Sequence, residues 1–173
     1  MLKSMLFAAM LLAPQQPQTA AKPAESEETG IIAGAVIAPS QPTMSQPVQV
    51  ILLPPRYMNL WNSDVQKRLD VYWERYKPAF AVQKEMFFEV SRMAHKEATN
   101  YVVTRMRRDA PGNVSDYLKE ASPDGKFEFK NVPFGEYKVL AVGKAGDKDL
   151  LWHESIDVRS PIPQFLELKK RLP

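Results

Sequence analysis

Hydrophobic positions follow two different periods along the chain. Residues 31–38 and 48–53 are apolar, contain several β-branched side chains and are each followed or ended by proline, which predicts two strands. After residue 113 a period of two returns, interrupted by short polar segments. This block predicts strands at residues 114–121, 126–130, 136–142, 150–158 and 164–168, with turns at 122–125 and 131–135 and a polar loop at 143–149.

Between these two blocks the apolar positions recur at every third or fourth residue. One such stripe begins at Trp61 and predicts an α-helix that starts at a capping box at Ser63 or slightly earlier. Pro78 is expected to break this helix, and a second helix is predicted over residues 79–108. Two helices joined by so short a connection predict an antiparallel helical hairpin over residues 56–110.

Three motifs in the strand-rich blocks follow a known arrangement. A Gly-x-Val strand begins at Gly34, an Asp-Gly-x-Phe-x-Phe pattern begins at Asp124, and a Pro-x-Gly-x-Tyr pattern begins at Pro133. In these motifs the chain resembles the carboxypeptidase regulatory-like domain family over residues 30–53 and 113–168. The resemblance implies a mainly β fold, namely a seven-stranded transthyretin-like Greek-key sandwich.

The chain departs from the family pattern between the second and third strands. Residues 54–113 stand where the family has a short connection, so the predicted helical hairpin is an insertion in a loop of the sandwich. Because loops on a rigid scaffold often carry binding function, we expect the hairpin to form the contact surface. Since both matched blocks lack it, we also expect the sandwich to fold without residues 54–112.

The N-terminus has the layout of an export signal. Lys3 precedes a short apolar run that cannot span a bilayer, and Ala21 suits a cleavage position, which predicts a signal peptide over residues 1–21. Residues 22–29 lack an apolar period and predict a disordered leader before a domain at 30–173. We therefore expect a bacterial protein that is periplasmic or secreted after cleavage.

The motifs of familiar catalytic sites are missing from the sequence. It contains no Cys, and its two histidines, His95 and His153, have no second His at helical metal-ligand spacing. It also contains no Gly-x-Ser-x-Gly motif and no phosphate-binding glycine loop. The resemblance likewise implies a non-catalytic domain. We expect no enzymatic activity, no metal and no cofactor.

Positive charge is concentrated in the predicted hairpin. Residues 56–109 contain 11 basic and 7 acidic side chains, whereas the whole chain has a net charge of only +3. Arg105, Arg107 and Arg108 end the second helix, where they complement its dipole, and Trp73 lies off the main apolar stripe. These four are the predicted partner-binding residues. We expect another periplasmic or membrane protein as the partner, contact with acidic lipid headgroups as an alternative, and no nucleic acid.

Taken together, the sequence predicts a non-catalytic exported interaction module. An accessory subunit of an envelope or membrane protein complex, docking through its hairpin, is one example. The alternative is a carbohydrate-binding module of the starch-binding-like type, with Trp61, Tyr72, Trp73 and Tyr76 as a platform for sugar rings. The helical spacing of Trp61, Tyr72 and Tyr76 favours a place in the hairpin core over a glycan platform.

Overall fold

The computed structural model describes residues 28–37, 46–80, 82–83 and 85–169. The predicted signal peptide and residues 22–27 of the predicted leader lie outside these ranges. Within them the chain forms seven strands and three helices. They are β1 (Thr29–Val36), β2 (Gln49–Leu53), α1 (Pro55–Phe80), α2 (Glu85–Asp109), α3 (Val114–Tyr117), β3 (Leu118–Glu120), β4 (Lys126–Pro133), β5 (Gly135–Ala145), β6 (Lys148–Val158) and β7 (Gln164–Leu168).

The seven strands form two sheets. The smaller sheet has the order β4-β1-β7, in which β1 is antiparallel to β4 and parallel to β7. The larger sheet has the order β3-β2-β5-β6 and is antiparallel throughout. The chain therefore passes from one sheet to the other several times between consecutive strands. Neighbouring strands in each sheet are mostly distant in sequence.

A single hydrophobic core links the two sheets. It contains buried side chains from both sheets, including Phe127 and Phe129 of β4 and Tyr137 and Val139 of β5. The alternation in these strands predicts that all four face inward, and this prediction is confirmed. Gly34 belongs to the same region, where a Cβ atom would lie 2.5 Å from the Phe127 ring. The absence of a side chain at Gly34 is what lets this ring pack on β1.

The fold has mixed helix and strand content, which corrects the expectation of a mainly β protein. Helices contain 42% and strands 39% of the described residues, so neither class dominates. Part of the difference comes from α1, which begins at Pro55, well before the capping box predicted at Ser63. Proline suits the first helical position, because a backbone N–H at that position has no partner within the helix and its loss costs nothing. Pro78 lies inside the last turn of α1, where it does not end the helix.

Two strand boundaries also differ from the prediction. The turn expected at residues 131–135 is largely strand, because β4 continues to Pro133 through a bulge opposite β1. Asn131 takes a positive φ of 54° at this bulge, a conformation that asparagine tolerates better than most residues. The extra residue resets the alternation, so Phe129 and Val132 are both buried although they are three positions apart.

Two further segments depart from the expected elements. The polar loop expected at residues 143–149 is a two-residue turn, since β5 runs to Ala145 and β6 starts at Lys148. Gly146 supplies the positive φ of 57° that such a tight turn requires. The strand expected at 114–121 is split into the short helix α3 and the three-residue strand β3.

A second core cluster attaches the helical hairpin to the larger sheet. Side chains of β2, β5 and β6 that point away from the shared core pack against α1 and α2. On the sheet these are Ile51, Leu53, Leu140 and Leu151, and on the helices they are Trp61, Val65, Ala98, Val102, Val103 and Met106. The hairpin therefore covers an apolar face of the sheet, which conflicts with the expectation that residues 54–112 are dispensable for folding.

Truncation of the shared core should be costly. Phe129 is 0% exposed, so Phe129→Ala should lower the free energy of unfolding by about 3–5 kcal/mol, through lost burial and the cavity left behind. Phe165 on β7 is 68% exposed, and Phe165→Ala provides a matched control that should cost less than about 1 kcal/mol. Urea denaturation measures both values. Equal losses in the two variants would contradict the assigned faces of β4 and β7.

Removal of the hairpin should show which half of it the sheet requires. Replacing residues 56–110 with a short Gly/Ser loop exposes Ile51, Leu53 and Leu140, so the product should aggregate or lose its cooperative thermal transition. Replacing only residues 72–89 retains the helix turns that cover the sheet and should preserve the fold. Circular dichroism and thermal unfolding distinguish the two variants. A stable, soluble 56–110 deletion would show that the hairpin is an independent appendage.

Candidate functional site: the two ends of the helical hairpin

The hairpin has an anchored half and a projecting half. The second core cluster includes α1 side chains up to Leu69 and α2 side chains from Ala98 onward. Residues 70–80 of α1 and the first two turns of α2, residues 85–91, therefore lie beyond the side chains of this cluster. Arg68 of α1 is ion-paired with Glu97 of α2 across the hairpin, and with Asp64 one turn earlier in α1. The Arg68–Glu97 pair holds the two helices together where the projection begins.

Trp61 is the centre of the anchored half. Its Nε1 donates a hydrogen bond of 3.0 Å to Thr99 Oγ1, which ties α1 to α2. The Lys138 ammonium lies 4.8 Å from the centroid of the Trp61 ring and donates to Asn62 Oδ1 at 3.0 Å, which ties α1 to β5. Burial lowers the pKa of Lys138 from its usual value. These polar contacts orient the hairpin on the sheet, in addition to the apolar packing.

Both histidines of the chain lie beside Trp61. The ring centroids of His95 and His153 are 5.6 Å and 6.0 Å from that of Trp61. His95 Nδ1 donates to the Ser91 carbonyl at 2.7 Å, and burial lowers the pKa of His95. No group of three or more potential metal-ligating side chains occurs within the described residues. The geometry gives His95 a packing role at the helix–sheet contact.

Aromatic side chains gather on the projecting half. We define the aromatic tip as Trp73, Phe80, Phe87 and Phe88. Ring centroids within it are separated by 5.2 Å for Trp73–Phe80, 6.0 Å for Phe80–Phe87 and 5.8 Å for Phe87–Phe88. These distances are typical of rings in direct contact. Trp73 remains 44% exposed, in agreement with its position off the main apolar stripe, whereas its role in binding stays a prediction.

Arginines gather at the opposite end of the hairpin. We define the arginine end as Arg56, Arg105, Arg107 and Arg108. Asp109 lies among them, with one carboxylate oxygen 3.0 Å from the Arg56 guanidinium and 3.9 Å from that of Arg105. Its other oxygen lies 3.6 Å from Arg108 Nε. The Asp109 carboxylate therefore lies close to three guanidinium groups. Because it neutralises only one of the four arginine charges, the arginine end keeps a net positive charge.

The structure does not bring the four predicted partner-binding residues together. Arg56 and Trp73 lie on the same helix, and a rise of 1.5 Å per residue separates their backbones by about 26 Å. Arg105, Arg107 and Arg108 belong to the arginine end, and Trp73 belongs to the aromatic tip. The hairpin therefore presents two separate surfaces of different chemistry where the sequence predicted one.

Sequence reasoning missed Arg56 of the arginine end and three rings of the aromatic tip, namely Phe80, Phe87 and Phe88. Arg56 precedes the predicted helix start, and its pairing with Asp109 depends on how the two helices meet. Phe88 lies next to Phe87 on a helix face that the apolar stripe does not mark, and it is as exposed as its neighbour. The pair Phe87-Phe88 is visible in the sequence as two adjacent bulky side chains that cannot both lie on one narrow stripe.

A cleft separates α2 from the end of the β5–β6 hairpin. It has a volume of about 350 Å³ and is lined by polar and apolar side chains, including Arg92, Asn100 and Leu151. An ion pair between Lys96 and Asp149 crosses from α2 to β6 at this position. None of the side chains that line the cleft is aromatic. Among the described residues, the cleft therefore offers no ring on which a sugar could stack.

Comparisons with known proteins assign no family. No protein-family model matches the chain, and no curated protein is significantly similar to it. Among solved structures, a Pseudomonas aeruginosa protein described as a "putative carbohydrate binding protein" is similar, with 13% sequence identity and a TM-score of 0.36. The alignment covers 84% of this chain and 91% of that chain. A similarity at this TM-score supports no argument about fold or function.

The buried His95 should make stability depend on pH. Its pKa in the folded protein lies below the ordinary value of 6.5, so on acidification the unfolded chain takes up a proton before the folded chain does. The free energy of unfolding should therefore fall as the pH drops below about 6.5, and it should level off below the folded pKa.

His95→Gln removes this titration and should flatten the corresponding part of the pH profile. Urea denaturation of both proteins between about pH 7.5 and pH 5 measures the difference. An unchanged slope in the variant would show that other groups cause the acid destabilisation.

Proposed function

We propose that the protein is a non-catalytic, exported interaction module that docks to another periplasmic or membrane protein through its helical hairpin. The observation that carries this proposal is the arginine end, where three of the four arginines share a single carboxylate. The partner that fits this surface is a protein with an acidic face. Opposite charges increase the rate at which two such surfaces meet and fix their relative orientation.

Helix stability alone does not account for the arginine end. Arg107 and Arg108 complement the dipole at the C-terminus of α2, as basic residues there commonly do. Arg56 is different, because it lies in the first turn of α1, where the dipole disfavours a cation by about 0.3–1 kcal/mol. The ion pair with Asp109 offsets this cost, yet the guanidinium remains mostly exposed. A positive group kept at an unfavourable position supports a role in recognition.

The proposed scaffold is a transthyretin-like Greek-key sandwich of the carboxypeptidase regulatory-like type, with the hairpin inserted after the second strand. Its support is the shared core of the two sheets and the repeated change of sheet along the chain. Export is proposed from the signal-like segment at residues 1–21. Among the described residues, no helix is both long enough and apolar enough to cross a membrane.

The carbohydrate-binding alternative has less support from the geometry. Glycan platforms use exposed ring faces with hydrogen-bonding groups beside them. Tyr72, one of the candidate platform residues, instead donates its hydroxyl to Glu97 at 2.6 Å inside the hairpin. Trp61 is buried under Lys138, and Trp73 packs against Phe80. Binding of the purified protein to polysaccharides, lost in Trp73→Ala, would nevertheless favour this alternative over protein docking.

Charge reversal at the arginine end should weaken docking. Arg107→Glu combined with Arg108→Glu should lower the association rate constant at least about tenfold at low ionic strength, because the steering field changes sign. The difference should shrink as salt shortens the screening length to a few ångströms. Co-purification from native membranes identifies the partner, and surface plasmon resonance measures the rates.

A matched control uses two cations on the smaller sheet. Lys130 and Lys169 are exposed and each pairs with a glutamate two residues earlier, much as surface cations usually do. Lys130→Glu combined with Lys169→Glu alters the net charge by the same amount and should leave the association rate nearly unchanged. If both double variants lower the association rate constant equally, the effect comes from net charge alone. That result would contradict docking through the arginine end.

A further inference from the structure

The exposed apolar side chains of the protein concentrate on the projecting half of the hairpin. Among the described residues, nine large hydrophobic side chains are exposed, and five of them belong to this half. They are Val71, Trp73, Val82, Phe87 and Phe88. Val82 is the most exposed of all, at 83%, and it lies between the two helices at the apex. Such a concentration is unusual on a surface that contacts only water.

Charge at the apex complements an anionic surface. Between Glu74 and Glu85 the sequence contains basic side chains and no acidic one. Arg75 and Lys77 are the described members of this set, and Lys77 lies in the last turn of α1. Long basic side chains can keep their charge at lipid phosphates while the neighbouring apolar groups lie deeper. Aromatic rings flanked by such cations are typical of segments that lie in a membrane interface.

We propose that the aromatic tip, together with Val82, inserts into the interface of a bilayer that contains anionic lipids. The four rings of the aromatic tip form one continuous cluster, since each ring contacts at least one other. This inference goes beyond the proposed function, because it uses the end of the hairpin opposite to the arginine end. The two surfaces are about 26 Å apart along α1, so lipid and a protein partner can be bound at once.

The three tryptophans of the chain make the inference directly measurable. Trp61 and Trp152 are 3% and 0% exposed, whereas Trp73 is 44% exposed at the tip. Vesicles of phosphatidylglycerol and phosphatidylethanolamine should shift the fluorescence of the protein to shorter wavelength, as Trp73 leaves water. Lipids brominated on their acyl chains should quench this emission. Trp73→Phe should abolish both responses while vesicle co-sedimentation is largely retained.

A pair of double variants tests which apolar residues insert. Val82→Asp combined with Phe88→Asp should reduce vesicle binding at least about tenfold, because each change places a carboxylate in the interface. Both side chains are exposed, so the fold should be preserved, and circular dichroism verifies this. Ile162→Asp combined with Phe165→Asp changes two exposed apolar side chains on the body of the protein and should leave vesicle binding unchanged.

Lipid composition and the arginine end provide the remaining controls. Vesicles of pure phosphatidylcholine should bind more weakly than anionic vesicles, and added salt should reduce the difference. Arg107→Glu combined with Arg108→Glu should leave the brominated-lipid quenching intact even where it abolishes protein docking, so the two proposals fail separately. Absence of any fluorescence response to vesicles would overturn the inference. A fluorescence response that the Val82→Asp, Phe88→Asp double variant does not reduce would also overturn it. The same holds if a purified protein partner buries the aromatic tip and vesicles do not bind there.

Discussion

Strand β2 buries side chains on both of its faces. Val50 and Leu52 enter the core shared by the two sheets, whereas Ile51 and Leu53 enter the cluster under the hairpin. Leu140 on β5 and Leu151 on β6 extend the second face. A sheet that is apolar on both sides must be covered on both sides, as in proteins where helices pack on a sheet. The hairpin is thus held to the rest of the molecule by the hydrophobic effect.

This attachment divides the hairpin and accounts for its two ends. Coverage of the sheet uses the beginning of α1 and the end of α2, where Trp61 and Met106 are buried. The far ends of both helices lie beyond this cluster, and there Trp73 and Phe87 stay partly exposed. The arginine end lies beside the sheet connection, and the aromatic tip lies at the far end. A single packing constraint therefore separates a charged surface from an apolar one.

Local alternation was sufficient to predict the inward face of β4 up to Phe129, because strand period and burial agree there. It failed at Asn131, since a bulge shifts the period by one residue and nothing in the apolar pattern marks it. The start of α1 was missed because Pro54-Pro55 suits both the end of a strand and the first turn of a helix. The separation of Trp73 from Arg105 follows from the predicted antiparallel hairpin itself, because the C-terminal ends of two antiparallel helices lie at opposite ends of the pair.

The uninterrupted length of α1 has a geometric consequence. The helix runs from Pro55 to Phe80, and the Trp61–Thr99 hydrogen bond with the Lys138 contact fixes its orientation on the sheet. A rigid helix keeps a constant distance between groups at its two ends. The hairpin can thus act as a rigid spacer. It holds a molecule bound at the arginine end at a fixed distance from a surface that contacts the aromatic tip.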